Sequence, residues 1–227
     1  MQDQKNKKNV HVISFLKVDL ELSFHQAGMQ DAVKTVRELS EREHPKVAIT
    51  FDDGPHPVYT EMLLDGLKKR GVHAAFFLIG ENIEGNEEIV KRMQKEGHLI
   101  GNHTYHHVNL KELSQKEAEE EIQMTWKKIY ESTGMGTSFV RPPFGEWRKN
   151  LDFDIIMIPV SWNIDSLDWT TENTEKIIKR VVKDVGEDDI ILMHDVYETS
   201  VEAALEIIDI LRERGYEFVT VDQLLLE

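Results

Sequence analysis

The alternation of short apolar segments with amphipathic ones constrains the fold of this chain more than any other feature. Apolar runs of about four to eight residues are typical of buried strands, and apolar residues three or four apart are typical of helices. The predicted strands are 47–51, 73–79, 98–102, 137–140, 155–162, 189–194 and 216–221. The predicted helices are 28–42, 58–70, 87–96, 114–132, 173–184 and 199–214. This alternation indicates parallel strands covered by helices, in an open doubly wound sheet or a closed barrel.

Polar residues follow the carboxyl ends of five of these strands, and this distribution favours the barrel. The residues are Asp52, Asp53, His103, His107, Arg141, Asp165, Asp168 and His194. In α/β barrels the loops at these strand ends form the reactive face. We therefore predict an α/β fold of the TIM-like (β/α) barrel type, with its functional residues at that face.

Charge and composition exclude several classes of protein. The chain has 227 residues with 27 Lys and Arg against 42 Asp and Glu, a formal charge of −15. Nucleic-acid backbones and anionic membranes select basic surfaces, so neither is expected as the main partner. The absence of cysteine excludes disulfides, thiol nucleophiles and Cys-ligated zinc. Lys17, Asp19 and Glu21 interrupt the first apolar run, which therefore predicts neither a signal peptide nor a membrane span.

Two histidines and two aspartates suggest a metal site. His103 and His107 are four residues apart, so on a helical turn they would face the same way and could bind one ion. A third ligand would come from Asp52 or Asp53 at the nearest strand end. One Asp with two His suits zinc and leaves an open coordination position. His106 lies outside the four-residue spacing and is not expected to bind.

The adjacent carboxylates of Asp52 and Asp53 require separate explanation. Neighbouring carboxylates repel each other and rarely share one task. One could bind the ion while the other accepts a proton. The structural alternative is a helix cap or an Asx turn before Pro55.

Five segments, in order along the chain, resemble the motifs of a known family. They are TFDDGPHP (50–57), HTYHH (103–107), RPPFG (141–145), DSLDW (165–169) and ILMHD (191–195). Together they are similar to the five ordered motifs of the polysaccharide deacetylases, carbohydrate esterase family 4, over about residues 45–225. The resemblance implies a distorted (β/α) barrel and a hydrolase that removes acetyl groups from a polysaccharide.

The resemblance implies a metal site and a general base. Asp53, His103 and His107 would bind one divalent metal, most often zinc, with cobalt, manganese or nickel as alternatives. Asp52 would be the general base that takes a proton from the metal-bound water, and Arg141 would pair with Asp52 and keep it ionised. Zinc lowers the pKa of a bound water from about 15.7 to near 7, which suits a carboxylate base.

The resemblance also implies a general acid and a substrate groove. His194 would protonate the leaving amine or alcohol, and Asp168 would orient His194 and stabilise its charge. Trp169 and Leu192 would line the groove for the acetyl methyl group, and the backbone N–H of Phe144 would help to bind the oxyanion. A histidine held by an aspartate suits proton donation near neutral pH. The alternative is a structural Asp168–His194 ion pair.

Two features depart from the family pattern. Phe144 stands where Tyr is common, which matters little if the backbone N–H binds the oxyanion. Only residues 146–154 separate RPPFG from the next predicted strand, where the family usually has a helix. We therefore expect an irregular or truncated crossover here, which would open the groove on this side.

The leading hypothesis is a metal-dependent hydrolase that removes acetyl groups from N-acetylglucosamine residues of a polymer, with peptidoglycan as the first candidate. Chitooligosaccharides and O-acetylated xylan are alternative substrates, because the same five motifs serve all three. Alternatives of another class are a non-catalytic carbohydrate-binding barrel and a ferrous oxygenase with two His and one carboxylate. Aromatic residues that could stack on sugars are Tyr105, Trp147, Trp162 and Tyr197, and the alternative for each is packing in the protein interior.

The hypothesis carries expectations for domains and location. Residues 1–44 would form an N-terminal strand and helix extension packed on the barrel, and residues 45–227 the deacetylase domain. A wall or environmental polysaccharide implies a secreted or surface-attached enzyme whose leader is missing from this sequence, with a cytoplasmic location left open. The oligomeric state is not predicted.

Overall fold

The computed structural model describes residues 44–147, 151 and 153–225. Almost all of them belong to one unit, Pro45–Glu227. The predicted helix 28–42 lies outside the described residues. So does the predicted extension of residues 1–44, except for His44.

The unit is built on a parallel sheet. Its strands are β1 (Lys46–Asp52), β2 (Ala75–Leu78), β3 (Leu99–Asn102), β4 (Phe139–Val140), β5 (Ile158–Pro159), β6 (Ile164–Asp165), β7 (Asp189–His194) and β8 (Glu217–Phe218). Their order is β5-β4-β3-β2-β1-β7-β6, and β8 pairs with the beginning of β1. Within the described residues β5 and β6 do not pair, so the sheet curls into an open barrel. The predicted distorted (β/α) barrel is confirmed.

Helices follow the strands and cover the outside of the sheet. They are α1 (Tyr59–Arg70), α2 (Gly80–Ile83), α3 (Glu87–Lys95), α4 (Gln115–Thr133), α5 (Thr174–Asp184), α6 (Glu198–Glu213) and α7 (Val221–Leu225). The five longer helices lie within two residues of their predicted bounds. Residues 216–221 form β8 and the start of α7 instead of one strand. Among the helices described, none has the length and apolar character needed to cross a membrane.

Alternate residues of β1 face two different environments, because successive side chains of a strand point to opposite sides. Val47, Ile49 and Phe51 belong to the larger apolar core, which includes residues of the outer helices. Ala48 belongs to a smaller cluster inside the barrel. Asp52 shares the inward face with Ala48, so β1 delivers a carboxylate to the carboxyl end of the barrel interior.

The prediction of one strand over 155–162 is wrong, and the pairing explains why. The backbone N–H of Val160 donates to the carbonyl of Val140 beside β4 (2.8 Å), whereas that of Asn163 donates to Ile190 of β7 (3.0 Å). The chain therefore changes its partner strand between these residues. The result is two short strands, β5 and β6, on either side of the gap in the barrel.

The crossover between β4 and β5 is irregular, as the sequence predicts. Its described residues contain one 3₁₀ turn, Pro143–Gly145, and no α-helix. Its apolar side chains pack against a small core that includes Val140 and residues of α4. These side chains are Trp147, Leu151, Phe153, Ile155 and Met157. Loop side chains therefore cover this part of the barrel where a helix would otherwise pack.

Candidate active site

The turn after β1 carries Asp52 and Asp53. Asp52 is the last residue of β1 and is almost fully buried. Asp53 has a left-handed backbone with φ of 73°, which residues other than glycine rarely adopt without support. Asn82 Nδ2 donates to the carbonyl of Asp53 (2.8 Å), and the N–H of Ile79 donates to the carbonyl of Gly54 (3.1 Å). These bonds fix the turn and give the two carboxylates different neighbours.

His103 and His107 converge on Asp53, but the predicted helical turn is wrong. The residues after β3 form a non-helical loop in which Thr104 and His107 are left-handed, with φ of 62° and 54°. The Nε2 atom of His103 lies 3.4 Å from Asp53 Oδ1, and that of His107 lies 3.5 Å from it. Loop geometry, not helix periodicity, brings the predicted ligands together.

These three side chains fit a divalent metal. Their ligand atoms all lie within 4.8 Å of one another. Zinc with ligands about 2.0–2.2 Å away places neighbouring ligand atoms about 3.3–3.5 Å apart, which agrees with the two distances from Asp53 Oδ1. That oxygen is buried and makes no hydrogen bond within the described structure. A buried carboxylate oxygen without a partner is costly, and a bound cation would remove the cost.

The backbone of Arg141 fixes the orientation of His103. His103 Nδ1 lies 2.6 Å from the carbonyl oxygen of Arg141. A carbonyl only accepts, so Nδ1 carries the proton and Nε2 keeps its lone pair toward Asp53. Burial and the nearby His103 lower the pKa of His107, which favours the neutral form that binds metals.

Arg141 lies fully buried inside the barrel and binds Asp52. Its Nη1 donates to Asp52 Oδ1 (2.8 Å) and to the hydroxyl of Thr50 (2.6 Å). The guanidinium also lies over the ring of Phe77, 4.3 Å from the ring centroid. Burial lowers the pKa of Arg141, and the charge of Asp52 opposes this shift. The second oxygen of Asp52 lies 3.8 Å from His103 Nε2, next to the proposed ligands.

His194, at the end of β7, forms a polar pair with Asp168. His194 approaches Asp53 from the side of Oδ2, whereas His103 and His107 approach Oδ1. The Nδ1 atom of His194 lies 2.7 Å from Asp168 Oδ1, and the His194 backbone N–H donates to Asp168 Oδ2 (2.8 Å). Burial by itself lowers the pKa of His194, but the hydrogen bond and charge of Asp168 outweigh it and raise the pKa to about 9. The imidazole is therefore protonated at neutral pH, with its Nε2 3.9 Å from Asp53 Oδ2.

One cavity of about 420 Å³ collects most of the predicted site residues. Its polar wall consists of Asp52, Asp53, His103, His107, Asp165 and His194, and its apolar wall of Pro142, Phe144, Trp162, Trp169, Leu192 and Tyr197. Trp169 and Phe144 are exposed, by 59% and 66%, whereas Leu192 is buried. Arg141 and Asp168 are buried and contact the polar wall through Asp52 and His194. The volume is in the range of ordinary ligand pockets.

Two of the four aromatic residues suggested for sugar stacking line this cavity, namely Trp162 and Tyr197. Tyr105 is instead buried, and its hydroxyl donates to Glu84 Oε1 (2.8 Å). Trp147 packs on the crossover cluster. Tyr105 and Trp147 therefore follow the alternative interpretation, in which the ring packs in the protein interior.

Sequence reasoning missed Asp195, the residue after His194. Asp195 is fully buried, and its Oδ2 accepts a hydrogen bond from the hydroxyl of Thr60 at the start of α1. A Cβ atom on Gly54 would lie 2.6 Å from both carboxylate oxygens, so only glycine permits this contact. Burial raises the pKa of Asp195 to about 7. The available signal in the sequence was a second acid directly after His194, at the end of the same strand.

The fold and this arrangement of polar groups define a polysaccharide deacetylase, and the chain belongs to that family. The family model for polysaccharide deacetylases matches residues 40–155.

The chain is also similar to proteins named for activity on peptidoglycan. It is 42% identical over 178 residues to the peptidoglycan-N-acetylmuramic acid deacetylase PdaC of Bacillus subtilis, covering 78% of this chain and 38% of PdaC. It is 32% identical over 206 residues to the peptidoglycan-N-acetylglucosamine deacetylase PgdA of Listeria monocytogenes, covering 91% of this chain and 44% of PgdA. The chain thus spans less than half the length of these two relatives.

Solved structures share the fold. The structure of PdaC superposes with a TM-score of 0.77 and 41% identity, covering 80% of this chain and 90% of that chain. A CE4 family pseudoenzyme from Bacillus anthracis superposes with a TM-score of 0.73 and 28% identity, covering 80% of this chain and 66% of that one. The same barrel therefore occurs in proteins described as active and as inactive, and the residues of the site must decide between them.

Proposed function

We propose that this chain is a metal-dependent deacetylase that hydrolyses the N-acetyl groups of N-acetylglucosamine residues in peptidoglycan. The observation that carries the proposal is the Asp53–His103–His107 cluster, flanked within one cavity by the base candidate Asp52 and the acid candidate His194. The names of the relatives support peptidoglycan as the polymer. Because peptidoglycan lies outside the cytoplasm, the site of action would be the cell wall.

Asp53, His103 and His107 would hold the metal, and zinc agrees best with this ligand set. When bound, such an ion supplies Lewis-acid chemistry, lowering the pKa of a coordinated water and polarising a carbonyl. Loss of a ligand, a base or an acid would be expected in an inactive relative. This chain retains all of these groups, which favours an enzyme over a binding barrel.

Asp52 is placed to accept the proton of the attacking water. Its Oδ1 is occupied by Arg141, while its Oδ2 lies beside His103 Nε2 and remains available as the acceptor. The guanidinium of Arg141 is buried and donates to Asp52 Oδ1, which fixes the direction in which Oδ2 points. Asp52 therefore acts as the general base and Arg141 keeps it oriented.

His194 is placed to protonate the leaving nitrogen. An amine anion is a very poor leaving group, so amide cleavage needs an acid that carries a proton at neutral pH. Asp168 provides this condition by raising the pKa of His194 to about 9, after the opposing effect of burial. The proton on Nε2 faces the cavity because Nδ1 is bound to Asp168.

Phe144 is proposed to offer its backbone N–H to the oxyanion. The residue is left-handed, with φ of 63°, and its side chain lines the cavity. A non-glycine residue in this region stores about 1–3 kcal/mol of strain, which typically persists where the backbone direction matters. Leu192 and Trp169 would surround the acetyl methyl group.

The cavity wall supports N-acetylglucosamine as the sugar that loses its acetyl group. The described residues that line it include six carboxylate or imidazole side chains but no Lys or Arg. N-acetylmuramic acid carries a lactyl group, which is a carboxylate wherever no peptide is attached. Apart from the protonated His194 and the proposed metal, the described wall offers aspartates and no cation, which disfavours that anion and accepts the neutral sugar.

Acetate release from three substrates tests the proposal: N-acetylglucosamine oligomers, purified peptidoglycan and acetylated xylan, each with chelator and with added zinc. We expect chelator-sensitive release from the first two, restored by zinc, and release lowered by about 10²- to 10⁴-fold in an Asp52→Asn variant that still binds zinc. Preference for xylan would move the assignment to an ester substrate. Zinc binding without release from any of the three would favour the carbohydrate-binding barrel.

A further inference from the structure

The loop with the two proposed histidine ligands is held by one side chain of helix α4. Glu121 Oε2 accepts hydrogen bonds from the backbone N–H groups of Tyr105 and His106, each at 2.9 Å. Its other oxygen, Oε1, lies 2.7 Å from His106 Nδ1. The Glu121 side chain is only 13% exposed. Both oxygens of this carboxylate are therefore committed to the segment between His103 and His107.

This segment needs an external anchor because its backbone is not regular. Thr104 and His107 are both left-handed, a conformation that residues other than glycine rarely adopt without support. Helix α2 binds one side of the loop, since the N–H groups of Gly80 and Glu81 donate to the carbonyls of Thr104 (2.9 Å) and Tyr105 (3.1 Å). Those bonds satisfy loop carbonyls, whereas Glu121 satisfies loop N–H groups.

We propose that Glu121 is a positioning residue for metal binding, which holds the 103–107 loop so that both Nε2 atoms face Asp53. His106 completes the anchor from the loop side and is not a ligand. The inference rests on the proposed metal-dependent function, since it concerns the geometry of the same ligands. Outer groups that orient metal ligands typically change metal affinity by about 10- to 100-fold when removed.

Of the three consecutive acids Glu119, Glu120 and Glu121 on α4, only Glu121 binds the 103–107 loop within the described structure. Glu120 is 57% exposed and pairs with Lys116 one turn away at 3.5 Å. Glu119 accepts a hydrogen bond from Gln123 (3.0 Å) on its own helix. Glu120 thus provides a matched control with the same charge and the same helix.

The test measures the zinc dissociation constant of the full chain by competition with a chromophoric chelator. The variants are Glu121→Ala, Glu121→Asp, Glu121→Gln and the control Glu120→Gln. Ala removes the acceptors and Asp retains the charge but is one methylene short, so we expect both to weaken zinc binding by about 10- to 100-fold. Gln keeps a carbonyl oxygen for the two N–H groups and should stay within about threefold of the wild type, as should the control.

Hydrogen–deuterium exchange without metal provides a second readout. Faster exchange of the Tyr105 and His106 amides in the Ala and Asp variants, with unchanged exchange in the core of α4, would support the anchor. Wild-type zinc affinity in folded Ala and Asp variants would overturn the positioning role while leaving the proposed function intact. A wild-type chain that binds no zinc would overturn the proposed function and this role together, whereas fast exchange in the variants would still show that Glu121 orders the loop.

Discussion

The two polar groups of the cavity differ in whether the protein itself satisfies them. On the metal side, Asp53 Oδ1 is buried without a hydrogen bond and faces two imidazole nitrogens at 3.4 and 3.5 Å. On the acid side, both oxygens of Asp168 are bound by His194, at 2.7 and 2.8 Å. We infer that the first group needs a bound ion to be satisfied, whereas the second is complete in the folded chain. Changes on the two sides should therefore be separable by measuring metal content together with turnover.

The largest effect is expected for His107→Ala, which should lose both metal and turnover. His107 supplies one of three proposed ligand atoms, and removing it leaves Asp53 and His103 as an incomplete site. Because a catalytic metal contributes several kcal/mol, turnover should fall by about a thousandfold or more. Metal analysis after dialysis, paired with acetate release, checks this. Full metal content in the variant would show that His107 is not a ligand.

Changes at the proposed base and acid should separate activity from metal content. Asp52→Asn and His194→Ala should each lower turnover by about 10²- to 10⁴-fold while zinc content stays unchanged. The reason is that Asp52 is held by Arg141 and His194 by Asp168, outside the ligand cluster. Near wild-type turnover of Asp52→Asn would exclude it as the base. Loss of metal in His194→Ala would instead make His194 a ligand.

The acid side also predicts a pH dependence. Burial lowers the pKa of His194, but Asp168 raises it to about 9, so the proton is held at neutral pH and lost as the pH rises through about 9. Because the folded pKa lies above the value of about 6.5 for free histidine, the pair stabilises the fold below pH 6.5 and this stabilisation disappears by about pH 9.

Asp168→Asn should therefore move the basic limb of the turnover profile to lower pH by more than one unit. The difference in thermal stability between the wild type and this variant should be largest near pH 6 and smaller above pH 9. Turnover profiles and melting temperatures at the same pH values check both. Superimposable basic limbs would mean that the limb reports a group other than His194.

Much of the site could be predicted because its residues lie at strand ends, and strand ends can be read from apolar runs. The structure has Asp52, His194 and the two histidines after β3 at strand ends, as expected from the sequence, and their roles stay predictions. The geometry of the histidine loop could not be predicted. A four-residue spacing suggested a helical turn, whereas the loop adopts left-handed residues at Thr104 and His107 and is held by Glu121. In the sequence, Glu121 is one of three consecutive acids that a helical pattern assigns to solvent.

The division of the predicted strand 155–162 could not be predicted for a similar reason. The run IIMIPVSW has the composition of one buried strand, but the backbone hydrogen bonds pass from β4 at Val160 to β7 at Asn163, the residue directly after the run. The composition of a segment indicates that it is buried, but it does not indicate which neighbouring strand accepts its backbone hydrogen bonds. Asp195 was overlooked because only the fold shows that Gly54 and Thr60 lie against it.

Asp195 offers a smaller test, in which stability changes with pH while the ligands are untouched. Burial raises its pKa to about 7, so the folded chain keeps a proton that the unfolded chain, with a pKa of about 3.8, releases. Stability should therefore fall as the pH rises from about 4 to 7. In Asp195→Asn this fall should be weaker. Melting temperatures at about pH 5 and 8, both with chelator present, check this, and parallel losses in the two proteins would contradict it.

The smallest effect on activity is expected for Phe144→Tyr, which changes one side chain of the apolar wall of the cavity. The ring is 66% exposed and lies edge-on to His107, with centroids 4.9 Å apart. A hydroxyl added to an exposed ring leaves the left-handed backbone and its N–H in place, so kcat/KM should change by less than about threefold. Kinetics on N-acetylglucosamine oligomers check this. A larger gain would show that the ring position contacts substrate directly, since the backbone donor is the same in both proteins.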